Sequence, residues 1–168
     1  TSNPLTAGTP TTFESSEITR TSVVYDSTNQ RVVVAYADVS NSFHGTAVVG
    51  TVGTNSITFG TPVVFNAALT NDSITATFDP SSGKVVIAYR NNGNSNAGTA
   101  IVGTVNMVSG TTITFGTPVV FASGGAGDLA SVYDPNNNKV IIAYDDFAAS
   151  SAGKAIVGTV SGTSISFG

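Results

Sequence analysis

The apolar residues of this chain fall in short runs closed by turn residues, and the runs repeat. The clearest copy reads Phe78-Asp79-Pro80-Ser81-Ser82-Gly83-Lys84-Val85-Val86-Ile87-Ala88-Tyr89: an aromatic, an Asp, turn residues, a basic residue, four apolar residues and a Tyr. The same order runs from Tyr25-Asp26 to Tyr36 and from Tyr133-Asp134 to Tyr144. Val, Ile, Thr, Tyr and Phe dominate, and no helical 3.6-residue period survives, so the pattern predicts strand, tight turn, strand. In the turn, Asp79 is placed to cap its own backbone, Pro80 presets φ, and Gly83 supplies a left-handed residue before the second strand. Asn138 stands at the Gly83 position in the third copy, which Asn tolerates. Gln30 stands there in the first copy and fits less well, so Asn29 is expected to take that conformation.

The repeat is regular along its whole length. Asp26, Asp79 and Asp134 are spaced 53 and then 55 residues, as are Tyr36, Tyr89 and Tyr144, and Gly50, Gly103 and Gly158. A second block, Ser56 to Phe65, recurs as Thr112 to Phe121; a worn copy spans Leu5 to Phe13, and Ser164 to Gly168 begins another. Each unit thus carries four strands. Strand a is the Ile-Thr-Phe-Gly-Thr-Pro-Val-Val-Phe block, b ends at the aromatic-Asp pair, c is Lys84 to Tyr89 in the second unit, and d is Thr99 to Val105. Pro10, Pro62 and Pro118 mark an edge or a bend in strand a. Strand c is continuously apolar, so both of its faces are expected to be covered.

A four-stranded antiparallel sheet repeated at about 50 residues is the pattern of a β-propeller blade. The expected fold is all-β: a propeller with blades of 52–56 residues, three per chain, at 5–52, 56–105 and 112–160, with 163–168 as a partial strand of a further blade. A linear β-solenoid is the competing architecture. The Trp-Asp and diglycine signatures of two common propeller families are absent. With Phe-Gly-Thr-Pro-Val-Val-Phe and Asp-Pro-x-x-x-Lys-Val-x-Ile-Ala-Tyr, the chain resembles the degenerate propeller blades of phage tail-fibre and other virion structural proteins from Leu5 to Gly168. That resemblance implies fold and no catalytic residue. Propellers close with roughly four to eight blades, so the expected partner is a second copy making six blades, or the rest of a longer propeller.

Composition narrows the function classes. Of 168 residues, 40% are apolar and only 10% charged, against roughly 25% charged in ordinary soluble domains. The absence of Cys removes disulfides, thiolate metal sites and a cysteine nucleophile. No run approaches the roughly 18 apolar residues of a membrane span. Net charge is −4 with six Lys plus Arg, which argues against nucleic acid as partner. A surface of Thr, Ser, Asn and Gly suits the cell exterior or a virion surface. The chain opens at Thr1 rather than Met, so a processed form or a piece of a longer chain is expected.

Up-and-down connection puts the b–c and d–a turns on one rim and the a–b and c–d loops on the other. The b–c turns are near copies, while the a–b and c–d loops differ in sequence. Asp26, Asp79 and Asp134 lie beside Arg31, Lys84 and Lys139 in the templated turns. The other seven carboxylates and Arg20, Arg90 and Lys154 lie on the varied rim, which therefore holds the whole net charge. Varied loops on a rigid scaffold are where binding usually lives, so the candidate ligand-binding residues are Asp38, His44, Arg90, Asn92, Asn94, Asp145, Asp146 and Phe147. Arg90 and the neighbouring Asn residues suit sugar hydroxyls; Phe43 and Phe147 are either contact anchors or packing under their own loops. No cofactor is expected, although Asp145-Asp146 with Asp128 nearby offers oxygen ligands for Ca²⁺. His44 is the only histidine, and the a strands, read as lining the centre, carry no charged residue. The expectation is therefore a non-catalytic binding or attachment module; the alternatives are a self-associating structural protein and a glycoside hydrolase acting from the rim loops.

Overall fold

The computed structural model describes residues 8–107 and 111–168. Fourteen strands are present among them: β1 (Ile18–Asp26), β2 (Arg31–Asp38), β3 (His44–Val52), β4 (Ile57–Phe59), β5 (Val63–Leu69), β6 (Ile74–Asp79), β7 (Lys84–Asn91), β8 (Ala97–Asn106), β9 (Thr112–Phe115), β10 (Val119–Ala122), β11 (Ala126–Asp134), β12 (Lys139–Asp146), β13 (Ala152–Ser161) and β14 (Ser164–Phe167). They form three antiparallel sheets. The first runs β1-β2-β3, with β4 and β5 end to end along the far edge of β3. The second repeats this as β6-β7-β8 with β9 and β10. The third is β11-β12-β13-β14.

The hydrogen bonds divide the chain one strand later than the sequence repeats suggest. Strand a, read as the start of each unit, instead completes the sheet before it: Ile57–Phe59 pairs with Gly50–Val52, and Val63 and Val64 pair with Ala47 and Thr46. Ser164–Phe167, read as the start of a further blade, likewise pairs with β13. The reason is local. A repeat fixes the spacing of strands but not their partners, and the short turn after strand d makes the antiparallel hairpin the nearest pairing available. Of the worn copy at Leu5–Phe13, residues 5–7 lie outside the described residues, as do 108–110 of the second d–a connection.

Alternation along the strands explains the continuous apolar runs: both faces of each strand c carry apolar residues, and the second sheet packs on both of its faces. Val33, Ala35, Ala47 and Val49 of the first sheet meet Val85, Ile87, Tyr89 and Ile101 of the second. On the far face of the second sheet, Val86, Ala88, Ala100 and Val102 meet Val140, Ile142, Tyr144 and Ile165 of the third. Full burial of each such Val or Ile contributes roughly 1.5–3 kcal/mol, so these two interfaces hold the fold together. The front face of the first sheet is covered in part by Phe13 and Ile18, which pack on Val34, Tyr36 and Val48. The strands β1, β6 and β11 run side by side. The Ser22 hydroxyl accepts from the Ala76 amide at 3.0 Å, and the Ser131 hydroxyl lies 2.9 Å from that of Thr75 and 2.5 Å from that of Thr77.

One aromatic arrangement recurs at every sheet. Phe13 stacks on Tyr36 and Phe59, Phe65 on Tyr89 and Phe115, and Phe121 on Tyr144 and Phe167, with ring centroids 5.1–5.8 Å apart. Burial pushes the Tyr89 phenol up to about 12. Burial, followed by the nearby Glu14 and Asp38 carboxylates, raises Tyr36 as well. The recurring mid-strand glycines have a steric cause: a Cβ on Gly50, Gly103 or Gly158 would lie 2.6–2.8 Å from the Cδ1 of Ile57, Ile113 or Ile165.

Candidate functional site

The two rims are built differently. On the templated rim each Asp folds its own turn. Asp26 accepts from the Asn29 amide at 2.9 Å and its Nδ2 at 2.7 Å; Asp79 accepts from the amides and hydroxyls of Ser81 and Ser82; Asp134 accepts from Asn136 and Asn137. Burial raises the Asp79 carboxyl, but the Ser81 and Ser82 donors outweigh it and hold the group below its usual range. The left-handed residue is Gln30 itself, at φ 54°, matching Gly83 at 65° and Asn138 at 54°. Asn29 does not take that role, because its side chain and amide are both committed to Asp26.

On the other rim, the three c–d loops share one backbone despite their different sequences. Each is a single 3-10 turn: Val39–Asn41, Asn92–Asn94 and Phe147–Ala149. Each follows an extended Asp or Asn (Asp38, Asn91, Asp146) and ends in two left-handed residues, Ser42-Phe43, Ser95-Asn96 and Ser150-Ser151. The variation therefore lies in the side chains, displayed from a common frame.

That frame absorbs some of the candidate ligand-binding residues. Asp38 accepts from the Asn41 amide at 3.2 Å and the Ser40 hydroxyl at 2.7 Å, so it caps its loop. Asp146 caps the third loop through the Ala148 amide at 3.0 Å and is paired with Lys154. The Lys154 ammonium holds the Asp146 carboxyl below the usual carboxylate range, and the carboxylate raises Lys154 in turn. His44 is half-buried at the start of β3, between Asp38 and Leu69 in the ladders. Asn94 is exposed on the second loop. Asp145 is half-buried, opposite Gly127 and Gly153. Strand alternation turns Asp145 and Asp146 to opposite faces of the sheet. Among the described residues, no three His, Asp or Glu side chains gather as a metal-binding set.

Three candidates do come together, across the second and third sheets. The Arg90 guanidinium lies 5.0 Å from the centre of the Phe147 ring and 3.2 Å from the Asp72 carboxylate. Asn92 donates to Asp72 at 2.5 Å and to Asn96 at 3.1 Å. Asn96 belongs to the Asn cluster read beside Arg90, whereas Asp72 is not among the candidates. The available signal for Asp72 was topological, because its a–b loop and the c–d loop of Arg90 emerge on the same rim. The charges of the cluster are paired within it, both Asn92 amide hydrogens are spent inside it, and Phe147 stands partly exposed beside it. On the opposite rim, a shallow cleft of 360 Å³ lies between Gly8–Pro10 and Val52–Ile57, and it is lined by no charged side chain.

Comparison with protein-family models, with curated proteins and with solved structures found no match to this chain.

Proposed function

We propose that this chain is a non-catalytic assembly module, whose three sheets act as blades of a β-propeller completed by a second copy. One observation carries the reading. The outward face of the third sheet repeats the apolar residues of the other two, but none of the described residues covers it: Val157 is 46% exposed where Val49 and Val102 are 0%. Val132, Ala143 and Ala155 are exposed on the same face. At the other end, Val23 and Tyr25 of the first sheet are 64% and 53% exposed. These two ends are the two halves of the contact that already joins one sheet to the next. The closeness of β1, β6 and β11, which are the b strands rather than the a strands read as lining the centre, supports a propeller, in which the innermost strands converge on an axis.

Size-exclusion chromatography with light scattering tests the reading. A uniform particle of twice the 16.9 kDa chain mass is the expected result, and a stable monomer would overturn it. A second reading, attachment through the varied rim of an extracellular or virion-surface particle, draws on the three matching loop frames with different side chains. Retention of the assembled protein on a glycan array, lost in Arg90→Ala or Asn92→Ala, tests that reading. Hydrolysis of a glycoside or ester panel, lost in Asp72→Asn or Asp145→Asn, would overturn the non-catalytic assignment.

A further inference from the structure

The joints inside the chain show how a joint between copies is made. At the first joint, β5 pairs with the edge of β3 at His44–Ala47, and its Phe65 ring fills the space beside Gly45 while stacking on Tyr89 of the next sheet. At the second joint, β10 pairs with β8 at Gly98–Ala100, and Phe121 fills the space beside Gly98 while stacking on Tyr144. The Gly-Thr-Pro bend is seated in the same way: Gly60 lies against the Thr111 carbonyl and Gly116 against the Thr163 carbonyl, each in the turn of the following sheet.

The corresponding parts at the two ends of the molecule are each half complete. Gly8 already lies against the Asn55 carbonyl, the Thr9 amide donates to that oxygen at 3.3 Å, and Phe13 already stacks on Tyr36. Residues 8–14 thus lie on the first sheet as 60–66 lie on the second. Yet 8–14 is not a strand, whereas β5 and β10 are. The difference is the missing edge on its other side. That edge is present on the third sheet. There β14 pairs with Gly158–Ser161 only, so Ala152–Ala155 has a ladder partner on β12 and none on the other side among the described residues. The space beside Gly153, which Phe65 and Phe121 fill at the twin positions, is empty to 4 Å.

We infer that copies join by strand completion: residues 8–14 of one copy add to the free Ala152–Ala155 edge of another, and Phe13 enters the space beside Gly153. This inference rests on the assembly reading and names the surfaces that make the joint. Strand addition satisfies an open row of backbone donors and acceptors, and a pocket for a side chain sets the register. Both internal joints give the same register. Val63 faces Ala47 and Val119 faces Ala100, so Thr11 faces Ala155; Val64 faces Thr46 and Val120 faces Thr99, so Thr12 faces Lys154. The contact is head-to-tail, which closes as a ring when the rotation allows and otherwise runs on as a filament. Phe13 needs no rearrangement, because Phe65 and Phe121 make both contacts at once.

The native chain has no cysteine, so an introduced pair reports one contact alone. Thr11→Cys/Ala155→Cys is expected to form disulfides between copies under mild oxidation, seen on a non-reducing gel. The off-register pair Thr11→Cys/Val160→Cys is expected to form none, because Val160 already faces Ile165. Gly153→Phe fills the space meant for Phe13 and is expected to weaken association at least about tenfold, while its far-ultraviolet circular dichroism stays native. If the native protein assembles but Thr11→Cys/Ala155→Cys does not cross-link, or Gly153→Phe assembles as before, strand completion is overturned and the assembly reading stands. If the native protein is a monomer at all concentrations, both are overturned.

Discussion

The second and third sheets are built from almost the same residues and differ in what lies beyond them. Val86, Ala88, Ala100 and Val102 are wholly buried against the third sheet, while their twins Ile141, Ala143, Ala155 and Val157 look outward. One template therefore serves as core in one place and as surface in the other. Sequence pattern fixes which face is apolar, and position in the array decides whether that face is covered. Solvent-facing Val and Ile on a flat strand face are an aggregation hazard unless they meet a partner. On that face Asp145 brings a charge at the rim end, and Lys154 on the open edge is paired with Asp146.

Matched substitutions test that contrast, and the largest effect is expected from a buried charge. Val102→Asp places a carboxylate in the core with no partner and is expected to cost on the order of 4 kcal/mol, enough to abolish cooperative melting. Val157→Asp is expected to leave the circular dichroism melt of the dilute protein near native and to abolish association. Equal destabilisation by the two would break the comparison. Glycine twins come next. A Cβ on Gly98 would lie 2.6 Å from the Phe121 ring and 2.9 Å from Ala126, whereas one on Gly153 meets nothing. Gly98→Ala should therefore cost roughly 1–3 kcal/mol in urea denaturation, and Gly153→Ala close to nothing in the unassociated chain.

The turns separate the two sheets in pH dependence. The Asp79 carboxyl is buried and held below its usual range by the Ser81 and Ser82 donors. A carboxyl lowered in the folded state adds stability above its unfolded pKa, and loses it as pH falls through the folded value. The urea midpoint should drop on acidification below about pH 4, and Asp79→Asn should flatten that fall. Asp134 is also lowered, by Asn137 first and then Asn136, but its turn is open to solvent, so Asp134→Asn should change the profile less. The smallest effect is expected at the rim between the sheets. Arg90→Ala removes a half-exposed ion pair to Asp72 and the contact over Phe147, at about 0.5–1 kcal/mol in thermal melts.

Much of the hairpin chemistry was legible in the chain. The Asp of each turn, the left-handed position before strand c and the double-sided burial of strand c all follow from residue types with strong local preferences. The phase of the sheets did not follow, because Ile57–Leu69 could pair on either side and only the connection length decides. The common frame of the c–d loops was obscured for another reason. The first of its two left-handed positions is filled by Ser42, Ser95 and Ser150 rather than Gly or Asn, so the one constant residue carries no usual signal for that conformation. Arg90 and Phe147 were each singled out, but their meeting spans two sheets and needs three dimensions. Asp38 and Asp146 looked available as ligands because a capping carboxylate and a binding carboxylate are the same residue type in sequence.

The strand Val63–Leu69 ties two sheets together in a way that governs how the molecule melts. Its hydrogen bonds belong to the first sheet and its Phe65 ring to the second. Neither sheet has a boundary at which its own contacts end and its neighbour's begin. Opening one of them strips an edge or a ring from the next, so the energy coupling neighbours is a large part of what each sheet has. The expected consequence is that heat finds no resting point partway along the array, and that the three sheets lose their order together in one calorimetric transition.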